Sequence, residues 1–197
     1  MFLRLNTVVK RTRVEGPHLR YCIFVQGCLK GCEYCNSEGT WSLDGGYCVS
    51  VDELAEDILS SDVEGVTFSG GEPFLQSRSL YELACRLKED GLGVVCFTGY
   101  RYDFIKGVNC ANWNKLLGVI DLLIDGGYEY DNPSNRLAWA GSSNQRHIFL
   151  SERYIDYVDL VEDYDNRLEF HINRDGSLIV IGMADNGRVK DLFRNIL

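Results

Sequence analysis

Gly27-Cys28-Leu29-Lys30-Gly31-Cys32-Glu33-Tyr34-Cys35-Asn36 is the stretch on which the reading of this chain turns. Its three cysteines are spaced C-x3-C-x2-C on one short loop. Three thiolates so placed can hold three irons of a cubane cluster and leave the fourth without a protein ligand. An iron left open is where chemistry can occur. Zinc is the alternative, but structural zinc usually takes four protein ligands, and no histidine or further cysteine follows Cys35 at a convenient short spacing. His18, His147 and His171 are scattered, and each alone reads more simply as a surface or satisfied core histidine.

Upstream of the loop, Leu19 to Gln26 alternates apolar Leu19, Tyr21, Ile23 and Val25 with Arg20, Cys22, Phe24 and Gln26, the pattern of a partly buried strand. Downstream, Ser50-Val51-Asp52-Glu53 is a capping box opening an amphipathic helix on Val51, Leu54, Ala55, Ile58 and Leu59. Strands are expected at Gly65 to Ser69, Val94 to Phe97 and Val119 to Ile124, with a helix on Leu80, Leu83, Ala84 and Leu87. Such alternation implies a parallel sheet with right-handed crossovers, because parallel neighbours need a long return connection. The cysteine loop, Gly70-Gly71-Glu72, Thr98-Gly99 and Asp125-Gly126 all follow strand ends, where α/β sheets and barrels assemble their sites.

The last fifty residues read differently. Leu168 to Ile172 and Leu178 to Ile181, joined by Asn173-Arg174-Asp175-Gly176-Ser177, form an expected hairpin, followed by a short helix from about Arg188 to Ile196. One domain over 1–197 is expected, with a core from about 9 to 150 and this appendage from about 151.

The 197 residues suffice for one core and are too few for two ordinary domains. A net charge of −9 argues against sequence-independent nucleic-acid binding, which depends on neutralising phosphates. Lys10, Arg11, Arg13 and Arg20 are at most a local anion or partner site. No apolar run approaches the roughly 20 residues of a membrane span, and the opening residues lack signal-peptide character, so a cytoplasmic protein is expected. Eight cysteines in such a chain fit reduced thiols better than a disulfide scaffold. Cys22, Cys85 and Cys96 are expected as small buried residues, while Cys48 and Cys110 have no evident place.

Together the cysteine spacing, Tyr34 before the third cysteine and Ser69-Gly70-Gly71-Glu72-Pro73 resemble the radical S-adenosylmethionine (SAM) superfamily. The resemblance implies a partial (β/α) barrel, a [4Fe-4S] cluster on Cys28, Cys32 and Cys35, and SAM chelating the open iron. It places Tyr34 against the cluster loop and facing the adenine, with Gly70, Gly71 and Glu72 receiving the methionyl ammonium. Thr98 and Asp125 match rim positions near SAM or a cation, although Asp125 also reads as a strand-end cap.

Gly141-Ser142-Ser143-Asn144-Gln145-Arg146, with Glu15-Gly16-Pro17, Gln26-Gly27-Cys28, Thr40-Trp41 and Leu122 to Gly126, resembles the activating enzymes of anaerobic ribonucleotide reductase. This adds Ser143 and Asn144 to the implied cofactor-binding residues. It implies a large glycyl radical enzyme as partner and a reductant such as flavodoxin or ferredoxin. A radical SAM enzyme acting on a small molecule or peptide is the alternative, and a non-catalytic iron–sulfur or zinc protein a third. Departures fall at Pro17-His18, Asn36-Ser37-Glu38-Gly39 and Asp125-Gly126-Gly127. His18 is therefore a candidate proton donor, set against a solvated loop histidine. Gly127-Tyr128-Glu129-Tyr130-Asp131 lines the rim or meets a partner if it is more than a loop.

Overall fold

The computed structural model describes residues 1–134 and 136–183. Its strands are β1 (Phe2–Thr12), β2 (Arg20–Val25), β3 (Tyr47–Ser50), β4 (Gly65–Gly70), β5 (Gly93–Thr98), β6 (Leu122–Asp125), β7 (Arg146–Phe149), β8 (Leu168–Ile172) and β9 (Leu178–Gly182). Its α-helices are α1 (Val51–Leu59), α2 (Ser77–Glu89), α3 (Tyr102–Val108) and α4 (Ala111–Leu117).

The first seven strands form one sheet in the order β3-β1-β2-β4-β5-β6-β7, and β8 and β9 form a separate hairpin. Pairing is parallel across β2-β4-β5-β6 and antiparallel for β1 with β2, β1 with β3 and β6 with β7. The expectation of a parallel sheet therefore holds for its centre and fails at both sides. The long β1 keeps its pairing with β2 through irregular steps between Leu5 and Thr7 and between Val9 and Thr12, as β-bulges bend an edge. The described strands form an open sheet, with no pairing that closes β3 onto β7.

Both faces of the sheet are covered, which explains a second departure. On β2, Tyr21, Ile23 and Val25 point into the core under the helices, with Leu54, Ala55 and Ile58 of α1 and Leu80, Leu83, Ala84 and Leu87 of α2. Cys22 points the other way, into a cluster with Val9, Val14 and Ile181 of the hairpin, against which Phe24 packs. Farther along that face Val95, Leu122 and Ile124 meet Ala138, Trp139, Tyr154 and Val161. An alternating strand thus becomes buried on both sides because the chain beyond Leu137 folds over the face that alternation leaves polar.

The capping box forms, with Ser50 accepting from the Glu53 backbone and Glu53 reaching back. The sixth strand begins only at Leu122, since Val119 ends a turn and the Asp121 carboxylate holds the Val94 N–H at 2.8 Å. The hairpin pairs Leu168 with Gly182 through Ile172 with Leu178, matching the expected strands. The expected helix from Arg188 lies outside the described residues. Cys22 and Cys96 are buried, whereas Cys85 is only partly so and Cys48 is exposed.

A fully buried arginine ties the N-terminal ends of the parallel strands. Arg20 donates to Thr67 Oγ1 at 2.8 Å, Glu64 Oε2 at 2.9 Å, Tyr154 Oη at 2.8 Å and the carbonyls of Pro17, Val66 and Gly93. Burying the cation is tolerable because its donors find acceptors and Glu64 neutralises it. Tyr154, beyond the proposed core boundary at 150, is part of that knot.

Candidate functional site

The C-terminal ends of β2, β4, β5 and β6 converge on one opening of about 120 Å³, bordered by Cys28, Cys32, Cys35, Gly70, Glu72 and Thr98 among others. Four segments distant in sequence meet there because parallel strands carry their C-terminal loops to the same rim.

The cysteine loop is held at its base. Gly27 N donates to the Thr40 carbonyl at 2.7 Å and Cys28 N to the Trp41 carbonyl at 3.2 Å. The buried Gln26 side chain donates to the carbonyls of Ser42 at 2.7 Å and Gly39 at 3.2 Å, and Gln76 donates to the Gln26 carbonyl at 2.9 Å. Neither glutamine stands out from its residue type. Gln26 is found only through its adjacency to the loop, and Gln76 has no sequence signal.

The loop is also stitched to the Gly-Gly-Glu turn. Gly71 N donates to the Val25 carbonyl at 2.8 Å and Glu72 N to the Gly27 carbonyl at 2.9 Å. A Cβ at Gly71 would lie 2.3 Å from the Gly27 oxygen, and one at Gly70, where φ is +92°, would lie 2.6 Å from Phe24 Cα. Only glycines allow so close an approach of the two backbones.

Glu72 is buried, and its carboxylate accepts from Phe74 N at 3.0 Å, Thr98 Oγ1 at 2.8 Å and Gly99 N at 2.9 Å. Burial raises its pKa to about 7, against the opposing pull of those three donors and of Lys30. The same turn-bound carboxylate thus caps the turn at Pro73 and joins the ends of β4 and β5.

The remaining expected residues divide. Tyr34, in left-handed backbone conformation, is exposed beside the opening, its ring centroid 4.2 Å from that of Tyr130. Asp125 is buried and turned away, its carboxylate accepting from Arg146 Nε at 2.9 Å, Arg146 Nη2 at 2.5 Å and Tyr102 N at 2.6 Å. The strand-end cap describes that geometry. Asn144 donates to the Gly127 carbonyl at 2.8 Å and lines a neighbouring cavity, while Ser143 is exposed and bonded to Asn132. His18 precedes β2 at the opposite end of the strands, its ring 5.7 Å from that of Tyr157. It is not brought to the opening, which removes it as a proton donor there. Lys30, Tyr128 and Gln145 do line the opening. The tyrosine-rich run and the Gly141 to Arg146 segment pointed to the latter two, and nothing distinguished Lys30 from a solvated lysine.

The three thiols are unpaired and half-buried, and burial pushes that of Cys28 up, with Glu72 adding to the effect. Among the described residues no three Cys, His, Asp or Glu side chains converge on a single ion. Ligands of a cubane each reach a different iron and need not share one point. Gly70, Gly71, Gly99 and Gly126 line the opening beside the three thiols, and that donor set is the one a cubane takes.

Comparison with known proteins agrees. A family model described as a 4Fe-4S single cluster domain matches residues 14–148. The anaerobic ribonucleoside-triphosphate reductase-activating protein of Enterobacteria phage T4 is 34% identical over 142 residues, 68% of this chain and 85% of that one. The pyruvate formate-lyase-activating enzyme of Staphylococcus aureus is 42% identical over 118 residues, 56% of this chain and 44% of that one, so the chain spans less than half of it. Among solved structures, QueE from Escherichia coli gives a TM-score of 0.42 at 20% identity over 50% of this chain and 53% of that one.

The chain belongs to the 4Fe-4S single cluster domain family. It is a radical SAM enzyme related to activating enzymes, and its cofactors are a [4Fe-4S] cluster and SAM. No described helix is long and apolar enough to cross a membrane.

Proposed function

We propose that this chain cleaves SAM reductively and uses the product radical to take a hydrogen atom from a glycine of a partner glycyl radical enzyme. The observation that carries the proposal is the stitching of the three-cysteine loop to Gly71 and Glu72 at one strand-end rim. In this reading the four parallel strands belong to a partial (β/α) barrel of the radical SAM type.

Bound on Cys28, Cys32 and Cys35, a reduced cluster would supply the one electron that reductive cleavage of the SAM carbon–sulfur bond requires. The glycine turn presents backbone to the methionyl group, and Glu72 offers a carboxylate to its ammonium while Thr98 and Gly99 fix the carboxylate's direction. Tyr34, exposed on the cysteine loop, would face the adenine. An open rim admits a partner's loop and excludes water around the reacting atoms. Eight unpaired cysteines suit a reducing cytoplasm, with a flavodoxin or ferredoxin as electron donor.

The test is 5′-deoxyadenosine formation by protein reconstituted anaerobically with iron and sulfide and given SAM and a strong reductant. Wild type should form it and Cys32→Ala should not. A verified cluster with neither product nor SAM binding would overturn the proposal.

A further inference from the structure

A second cavity, of about 400 Å³, adjoins the cysteine-lined opening and shares Lys30, Gly99, Gly126 and Tyr128 with it. The two share a wall at the ends of β5 and β6. Its floor is aromatic. Tyr100 and Phe104 stack with centroids 5.5 Å apart, Trp113 backs Tyr100 at 5.1 Å, and Phe104 is 52% exposed.

Over that floor stand two cations. Lys30 Nζ lies 4.8 Å from the Tyr100 ring centroid, and Arg101 is exposed with no acidic partner among the described residues. Arg20, Arg86, Arg136, Arg146, Arg153 and Arg167 are paired with carboxylates, whereas Arg101 lines this cavity without one, in a chain whose net charge is −9. Glu129, the carboxylate on the far wall, accepts from Asn132 at 3.1 Å. Tyr34 and Tyr130, on the side expected for adenine, do not border this cavity.

We propose that this second cavity is the docking subsite for a peptide segment of the partner that carries a carboxylate side chain at a fixed distance from the reacting glycine. The inference rests on the activase reading. Arg101, with Lys30 beside it, would pair with the carboxylate, and the Tyr100–Phe104 stack would take the adjoining apolar surface. Complementary charge at such a rim sets register and selects the partner.

A library of short glycine-centred peptides with randomised flanks, offered to the reconstituted SAM-loaded protein, tests it. Bound peptides should be enriched about fivefold in Asp or Glu at one offset from the glycine, the scale of a partly exposed ion pair. Arg101→Lys should keep that preference, and Arg101→Glu should replace it with Lys or Arg at the same offset. No acidic enrichment, or enrichment that survives Arg101→Glu, would overturn the proposal. 5′-Deoxyadenosine formation without peptide should be unchanged in Arg101→Glu, and its loss would assign the cavity to the cofactor and also overturn the proposal. No 5′-deoxyadenosine from wild type would sink the activase reading alone, because the peptide preference is read by binding.

Discussion

Thr98 donates its hydroxyl to Glu72 Oε1 at 2.8 Å, joining the ends of two adjacent parallel strands through a buried carboxylate. Burial works against ionisation of Glu72, and each donor it holds favours the charged form.

Thr98→Val removes one of those donors at nearly constant volume. Phe74 N still donates to the same Glu72 oxygen, but one bond to the carboxylate and the acceptor of Tyr100 N are lost, so stability should fall by about 1–3 kcal/mol and the Glu72 pKa should rise further. Urea unfolding of wild type, Thr98→Val and Thr98→Ser measures it, with Thr98→Ser near wild type. Equal stability of all three would show that the hydroxyl contributes nothing.

Gly71→Ala places a methyl group 2.3 Å from the Gly27 carbonyl oxygen, against backbone that cannot swing aside. The cysteine loop must move to relieve it. Expected are a loss of about 1–3 kcal/mol of stability and a clear drop in iron bound per chain after reconstitution. Full iron loading in Gly71→Ala would mean the loop does not depend on this contact.

Iron content also separates the cysteines. Alanine at Cys28, Cys32 or Cys35 should each sharply reduce cluster content, whereas joint replacement of Cys48, Cys85 and Cys110 by serine should leave it unchanged. The latter three do not line the opening. Iron lost on that joint replacement would require a different ligand set.

Arg20→Met would leave the carbonyls of Pro17, Val66 and Gly93 without their guanidinium donor, while Glu64 keeps Arg153 at 2.7 Å and still meets the Tyr154 hydroxyl at 2.9 Å. Unpairing buried acceptors of this kind costs about 1–3 kcal/mol each. Chemical denaturation should show that loss, and a change below about 1 kcal/mol would show that the remaining partners regroup.

Burial raises the Glu15 pKa from 4.5 to about 7, opposed by the Gly182 N–H and reinforced by Glu169. Between those pH values the folded chain keeps a proton that the unfolded chain has released. This group's contribution to stability is therefore greatest at pH 4.5 and below, falls as pH rises to about 7, and then levels. Glu72 has the same sign, so Glu15→Gln should make the decline shallower without abolishing it. Unfolding midpoints at several pH values between 4.5 and 8 would show this, and an unchanged slope would remove Glu15 as a contributor.

The hairpin, the capping-box helix and the four rim motifs were legible because their signals are local. A turn glycine, a cap three residues from its partner, or three cysteines within eight residues carry their geometry in their spacing. The antiparallel margins were not. β1 and β7 have no local mark of direction, since strand direction is set by where the connecting chain returns.

The same division runs through the site. Sequence alone determined that three thiols share one loop and that glycine and acidic residues follow the strand ends, because covalent spacing and alternation suffice for that. Only the tertiary structure decided that Glu72 faces Thr98 and Gly99, that Asp125 turns to Arg146, and that His18 sits at the far rim. Those outcomes depend on partners 21 to 27 residues away and on the end of the sheet from which each loop leaves. A side chain's direction and charge state are fixed by what packs around it, and that is settled only when distant strands lie side by side.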